Sequence, residues 1–435
     1  MIEKKENVNA KNTIKKSVTP RIVKHPDIVI EGYEEALKVL NENATKDGFS
    51  ASTEKHVNYY SVWARDHSIC AVGALLTGDQ NLIASAKSGI LHLLLHQSDA
   101  GQIPSYIEIE KKTKVYGGLG SITSVDSNLW VLIAAAQIHK VTGDKRFISG
   151  KQIQRYRQIY RLIRAFDSNN CGLMEVHIAG DWADIMHRSY HVLYDECLHY
   201  KAFKSLIYLY EEYLKVGKDT NLREKVVKNI KWAKKRRKNI KPILNELFWL
   251  TPHSIEKIKE QYMIFFAHME PQPFYQSHLT PFENNWSQRF DSFGNVLAIL
   301  TNIASKDRAN KIISYVCDNK INYPSPLTAL HPPIYPNDAD WEVVYEYREA
   351  PYTYHNGGIW PMVTGFWIAA LVKAGKQKLA QVELERFAQA MKDHHWLFPE
   401  YIHGQTSAAM GRMKQAWSAA GYIIAKNAVD GKLPF

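Results

Sequence analysis

Two aspartates, Asp181 and Asp184, flank Trp182 in the stretch GDWADIMHRS (180–189), with His187 and Arg188 directly behind. A solvent loop has no use for a large indole between two carboxylates, and a simple turn has no use for both acids. Cleavage of a glycosidic bond does use such groups. One carboxyl protonates the leaving oxygen, and a second activates water or attacks the anomeric carbon. A candidate second acid is Glu400 in FPEYIHG, flanked by Pro399 and Tyr401. The simpler assignments are an N-cap for Asp181 or Asp184 and a dipole-favoured first-turn acid for Glu400.

The three acids belong to a larger pattern. Polar-aromatic clusters recur at YYSVWARDHS (59–68), GQIPSYI (101–107), YGGLGSITSVDSNLW (116–130), NNWSQRFDSFGN (284–295), YTYHNGGIW (352–360) and WLFPEYIHG (396–404). Trp63, Trp130, Trp182, Trp286, Trp360 and Trp396 fall in or beside them. A packed core takes tryptophan on helix faces, without Asp, Asn, Arg and His as immediate neighbours. Sugars present apolar C–H faces for stacking and a rim of hydroxyls for polar side chains. Any one cluster reads as packing, but all of them together read as a sugar pocket. Tyr60, Trp63, Tyr106, Trp182 and Tyr401 are its candidate aromatic members.

Helices must position these loops. Apolar periodicity of helical type dominates and strand alternation is scarce. It predicts helices near 29–42, 66–77, 81–97, 126–141, 145–165, 190–215, 220–240, 255–267, 288–304, 307–318, 356–374, 377–392 and 405–427. Thr77-Gly78-Asp79, Thr142-Gly143-Asp144 and Gly375 punctuate them,. So many helices without a domain-scale linker imply paired helices closing on themselves, with the chemistry in long connecting loops. The Pro-rich stretch 322–353 is the longest irregular segment, suited to a loop or a cover over a site. Residues 1–26 read as a basic disordered leader, and 27–435 as one domain.

The net charge of +11 over 435 residues invites nucleic acid until it is located. Residues 1–25 carry +5 and residues 223–241 carry +9, which leaves the rest near −3. The excess is two local runs and not a basic face. In the second run Leu222, Val226, Ile230 and Ala233 recur at helical spacing, which puts the lysines on a solvated side. No nucleic-acid partner is implied. No apolar run reaches the length a membrane helix needs, and the charged N-terminus is unlike a secretory signal. Cys70, Cys171, Cys197 and Cys317 form no CxxC pair, which fits a reducing cytoplasm,. HExxH, P-loop, GxGxxG and nucleophile-elbow motifs are absent, so the reading includes no metal and no cofactor. The doublets Gly117-Gly118 and Gly357-Gly358 read as tight backbone near a pocket,.

GDWADIMHR, YHNGGIWP and FPEYIHGQTS…QAWSAAGYIIAK resemble motifs of neutral/alkaline invertases and of bacterial proteins labelled amylo-α-1,6-glucosidase or debranching enzyme. RFDSFGNVLAIL and VDSNLWVLIAA fit the same group, and the likeness runs from about residue 30 to 428. The resemblance implies an all-α fold, the (α/α)6 toroid of six-hairpin glycosidases, and an inverting mechanism with an Asp acid and a Glu base. Related toroid glycosidases place the acid in an Asp-x-x-x-Arg pattern, which Asp184-Ile-Met-His-Arg188 matches. Asp184 is then the acid, Glu400 the base, and Asp181 a support that binds hydroxyls or orients Trp182. Arg188 is expected to contact another acid, or the sugar, more closely than Asp184. By the same likeness Arg65, Asp66, Asp126, His355, Asn356 and Trp360 are sugar-pocket residues.

HRSYHVLYDEC after the acid departs from the Gly- and Pro-containing stretch of the invertases, which weakens sucrose in particular. Sucrose, an α-1,6-glucosyl stub and a compatible solute such as glucosylglycerate or mannosylglycerate stay open. So does homo-oligomerisation. The alternative of another class is a carbohydrate-binding toroid without catalysis. It would keep the aromatics without needing both Asp184 and Glu400.

Overall fold

The computed structural model describes residues 24–55, 58–263, 269–281 and 288–435. The expected leader lies almost wholly outside these residues, as does Trp286. In chain order the helices are α1 (Asp27–Glu42), α2 (Ala64–Thr77), α3 (Gln80–Leu95), α4 (Val125–Thr142), α5 (Gly150–Ala165), α6 (Leu193–Val216) and α7 (Thr220–Leu247). They continue as α8 (Pro252–Tyr262), α9 (Ser292–Leu300), α10 (Lys306–Asp318), α11 (Tyr345–Arg348), α12 (Pro361–Lys373), α13 (Gln377–Asp393) and α14 (Ala416–Val429).

Six of these close into a ring: α2 packs on α4, α4 on α6, α6 on α9, α9 on α12, α12 on α14, and α14 back on α2. Their sequences explain why they are inside. All nine residues of α9 are buried, as are all of α2 except Leu76 and Thr77. A helix buried on every side shows no polar face. Around the ring, α1, α3, α5, α7 and α13 pack against it. They bury one stripe each, such as Leu222, Val226, Ile230 and Ala233 of α7. This is the expected (α/α)6 toroid. Close approach between ring helices uses small residues, since a Cβ on Gly365 of α12 would collide with the Gly421 backbone of α14.

The punctuation acts as anticipated. Gly78 and Gly143 end α2 and α4 in the left-handed conformation (φ 76° and 64°), where a residue without Cβ is unstrained,. Asp79 then caps α3 by accepting from the Asn81 and Leu82 amides.

Several boundaries differ from the periodicity: α7 runs on to Leu247, past the expected 240, and α9 is confined to Ser292–Leu300. Residues 145–148 form a separate 3-10 turn, and α12 starts only at Pro361. The last helix starts at Ala416, because 401–402 and 409–410 pair as an antiparallel hairpin. Left-handed Ser407, Gly411 and Lys414 also break any helix there.

Short ladders crown one end of the ring. Ser61–Trp63, leading into α2, pairs with Tyr106–Glu108. His191–Val192 before α6 pairs with His278–Leu279, and Phe290–Asp291 before α9 with Leu330–His331. Ile359, just before α12, bridges Ile402. The ladders fix where each ring helix begins, and thereby which side chains its first turn offers to the loops above. Among the described residues no helix is long and apolar enough to cross a membrane.

Candidate active site

A cavity of about 890 Å³ opens at the crowned end. Nine of the anticipated site residues line it: Trp63, Arg65, Asp66, Tyr106, Trp182, Asp184, Trp360, Glu400 and Tyr401. Its aromatic walls are built in pairs. Trp63 stacks on Tyr106 at 4.4 Å between centroids, across the first ladder. Trp360 lies between His355 (4.8 Å, 7° between planes) and Tyr401 (5.5 Å, 24°), and Trp182 meets it edge-on at 5.5 Å. The Trp360 indole N–H donates to the Tyr354 carbonyl at 2.9 Å, so this buried indole is satisfied and its faces are taken by His355 and Tyr401.

The two acids beside Trp182 part company. Asp184 opens to the cavity with a third of its side chain exposed, and its Oδ1 lies 3.9 Å from Arg65 Nη2. The Tyr354 hydroxyl donates to its Oδ2 at 3.2 Å. Asp181 is buried beneath and does not line the cavity. One of its oxygens accepts from the Ala183 amide at 2.7 Å, and the other accepts from Arg188 Nε at 2.9 Å. Arg188 also donates from Nη1 to Asp291 at 3.1 Å, at the entrance to α9. Arg188 therefore clamps the loop to the ring through Asp181 and Asp291, as expected of a guanidinium that does not pair with Asp184.

Glu400 is 6% exposed, yet each oxygen has partners. The Tyr59 hydroxyl lies 3.1 Å from both, and the Arg412 amide donates to Oε2 at 3.1 Å. Burial raises its pKa; the Arg412 amide and Tyr59 oppose the rise, and the charge of Asp184 adds to it,. The hairpin wall approaches this carboxylate so closely that a Cβ on Gly411 (φ +71°) would collide with it. Asp66, in the first turn of α2, is held at a pKa of about 7. Burial is the main cause, the charges of Glu400 and Asp184 contribute, and Arg65 opposes.

Several anticipated sugar contacts lie elsewhere. Asp126 is wholly buried and accepts from Arg65 Nη1 at 2.8 Å and from the Tyr194 hydroxyl at 2.9 Å, so it steadies the arginine from below. Asn356 is also wholly buried. It exchanges hydrogen bonds with both backbone groups of Ile334 and donates to the Glu349 carbonyl, which staples the Pro-rich strap. His355 backs Trp360, donor or acceptor to Glu349 through Nδ1 at 3.1 Å. It and Arg188 face a second cavity of about 160 Å³ on the far side of Trp182. Tyr60 does not line the main cavity either; the Lys55 ammonium lies 5.9 Å from its ring.

In their place the cavity wall carries Tyr59, Arg348, Tyr354, Arg412, Gln415 and Trp417. Tyr59 stands in the turn just before the strand that carries Trp63, so no strand alternation pointed to it; the only signal in the sequence was its place in the YYSVWARDHS cluster. Among the described residues no group of three or more His, Cys, Asp or Glu could hold a metal.

A closed ring of helices with paired carboxyls in an aromatic cavity defines the (α/α)6 class of glycosidases. Solved structures of that class superpose on the chain. A mannosylglycerate hydrolase from Thermus thermophilus matches with a TM-score of 0.59 at 15% identity, over 90% of this chain and 99% of that one. A bacterial glucoamylase complexed with acarbose gives 0.62 at 14% identity, over 93% and 56%. The chain belongs to the alkaline and neutral invertase family, whose model matches residues 36–275 and 278–431. Neutral/alkaline invertase 1, mitochondrial, of Oryza sativa subsp. japonica is 22% identical over 87% of this chain and 66% of its own length. The probable alkaline/neutral invertase F of Arabidopsis thaliana is 21% identical over 88% and 83%.

Proposed function

We propose that the chain is an inverting, exo-acting glycoside hydrolase that cleaves an α-glucosidic bond in a small or terminal sugar. Asp184 is the general acid and Glu400 the general base. The observation that carries this reading is the shared cavity. Asp184 and Glu400 both face it, while Asp181 is taken up by Arg188. Asp184 delivers its proton to the leaving oxygen. Glu400, held by Tyr59 and the Arg412 amide, takes a proton from water as it attacks the anomeric carbon from the other face. Its raised pKa makes it a stronger base once ionised. Trp63 and Tyr106, both half-buried on the cavity wall, offer the apolar faces, with Trp360 and Trp182 packed behind the wall, and Arg65 and Asp66 offer the hydroxyl contacts.

Family membership favours a sucrose-type substrate. A second reading rests on Arg348, which lines the cavity and has no carboxylate within ion-pair distance among the described residues. A leaving group that itself carries a carboxylate, as in glucosylglycerate, would supply one.

A hydrolysis screen over sucrose, isomaltose-type α-1,6-glucosides and glucosylglycerate, with the first-formed anomer read by NMR, tests both substrate and stereochemistry. Inverted product is expected, and a trapped glycosyl-enzyme would refute the mechanism. Asp184→Asn and Glu400→Gln should each lose on the order of 10²–10⁴ in turnover. An activated leaving group should partly rescue the first and not the second. Wild-type rates in both variants would refute the two-carboxylate assignment, whereas sugar binding without turnover in the unaltered chain would favour the binding-toroid reading.

A further inference from the structure

The basic run of 223–241 is not wholly a solvated face. Lys225, Lys228, Lys231 and Lys235 do point outward and are exposed. Lys234, Arg237, Lys238 and Lys241 instead follow the seam between α7 and α6, where Lys204 of α6 joins them. Together they line a groove of about 730 Å³ walled by Tyr200, Ile207 and Pro242. These five cations meet one acid, Glu211, which pairs with Lys234 at 2.7 Å. Lys241 donates to the Asn302 carbonyl, and Arg237 lies 4.2 Å from the Tyr200 ring centroid. Among the described residues, Lys204, Arg237 and Lys238 have no carboxylate within ion-pair distance.

Two buried groups deepen the imbalance. Arg237 Nε is enclosed without a hydrogen-bond partner. Behind the groove Lys201 is only 7% exposed, with its ammonium 4.6 Å from the Phe435 ring centroid. Burial pushes its pKa down to about 7, and the charges of Lys204, Lys140, Lys373 and Arg237 push in the same direction. Like charges held this close repel one another, and a buried ammonium without a partner is costly. A fold keeps such an arrangement where a counter-anion relieves it.

We propose that the α6–α7 groove is a binding site for a small molecule carrying two or more linked phosphates. Its uncompensated charge of +4 exceeds what one phosphate neutralises, and its volume suits a small-molecule ligand,. Lysine ammoniums supply point charges and Arg237 a planar fork, the pair of donors phosphate oxygens favour. Lys204 lies eleven residues along α6 from Leu193, or about 16 Å of helix from the crowned end, so the groove is separate from the sugar cavity,.

The test is calorimetric titration of the full chain with inorganic tripolyphosphate, against orthophosphate and against sodium chloride at equal ionic strength. Two triple variants are compared: K204Q/R237Q/K238Q in the groove, and K225Q/K228Q/K231Q on the outward side of α7. Both remove the same charge from exposed or half-exposed positions. Tripolyphosphate should bind at least about ten-fold more tightly than orthophosphate. The groove variant should weaken it about ten-fold or more, and the outward variant less than about three-fold. Should the groove variant not fold, K238E at an exposed position replaces it with the same expectation. No binding beyond the salt control, or equal weakening in both variants, would overturn the proposal. A short DNA duplex that binds through the same residues and is not displaced by tripolyphosphate would assign the surface to a polyanion instead. Turnover on the sugar substrate is measured in parallel. Its failure would bear on the active site alone, since none of the substituted residues lines that cavity.

Discussion

Replacing Tyr59 by Phe removes one hydroxyl, and that hydroxyl is the only side-chain donor to Glu400 among the described residues. A hydrogen bond to a charged acceptor contributes about 1.5–3 kcal/mol, and one pKa unit corresponds to about 1.4 kcal/mol. Losing it outright would therefore raise the Glu400 pKa by about one to two units. The Arg412 amide remains in place and takes up part of the loss, so about one unit is the expected shift. The direction follows from the state the hydroxyl stabilises. Tyr59 donates to the carboxylate, so its removal favours the protonated acid, and a base is useless when protonated. The acid limb of kcat/KM against pH, which reports the free enzyme, should move to higher pH by about one unit. The rate on the plateau above that limb should fall by less than about ten-fold. A limb that stays put, or moves down, would show that the group titrating there is not Glu400 or that Tyr59 does not hold it.

Three further outcomes are expected. Asp66 has a folded pKa of about 7, above the ordinary 3.8, so its stabilising contribution is full below about pH 4 and is lost as pH rises to 7,. Asp66→Asn should therefore melt higher than wild type at pH 8, by roughly 2–4 kcal/mol as an upper bound, and the difference should vanish near pH 4; an equal difference at both would refute this. Gly411→Ala drives a methyl into Glu400 at a left-handed position, so turnover should drop by at least about ten-fold while a sugar ligand still binds and quenches tryptophan fluorescence,. Asp181→Ala leaves Arg188 buried with half its partners, and breaking such a pair costs about 3–5 kcal/mol,. That variant should lose stability in denaturant titration, whereas Asp184→Asn should not.

The ring was legible because burial on all sides leaves a signature: α9 and α12 are mostly apolar with no polar stripe, and the outer helices are striped. The loops were legible as aromatic-polar clusters, and the capping Gly78 and Gly143 as turn signals. What sequence could not separate was layer from layer within the site. Asp126, Asp181, Arg188, His355 and Asn356 share the composition of sugar contacts, and each lies one layer below the cavity wall or beyond it. Burial depth is a tertiary quantity, and an acid that binds an arginine reads the same as one that binds a hydroxyl. Tyr59 and Tyr60 illustrate the finer limit, because they share a turn before the first ladder and the path of a turn, which decides which ring faces the cavity, has no period to read. Arg348 and Arg412 come from a strap and a hairpin far apart in sequence, and only the closed ring brings them to one cavity.

The tryptophan between two acids has its explanation in that layering. A catalytic carboxyl on a loop must be held as firmly as one on a helix, since small displacements of a reacting group cost large factors in rate. The loop 180–188 gains that hold from below. Asp181 turns the chain by accepting its own Ala183 amide, and it takes Arg188, which is anchored in turn on Asp291 at the mouth of α9. Trp182 fills the space between, packed edge-on against Phe293, His355 and Trp360 from two other ring segments. With both ends fixed, residue 184 has one direction left, toward the cavity, where Tyr354 and Arg65 meet it. Arg65 is itself held by Asp126, Tyr194 and Trp130 in a chain that runs across three ring helices. One aspartate is therefore committed to position, which leaves its neighbour three residues on open to the cavity, as the proposed general acid requires, and the indole between them is the spacer that keeps the two apart.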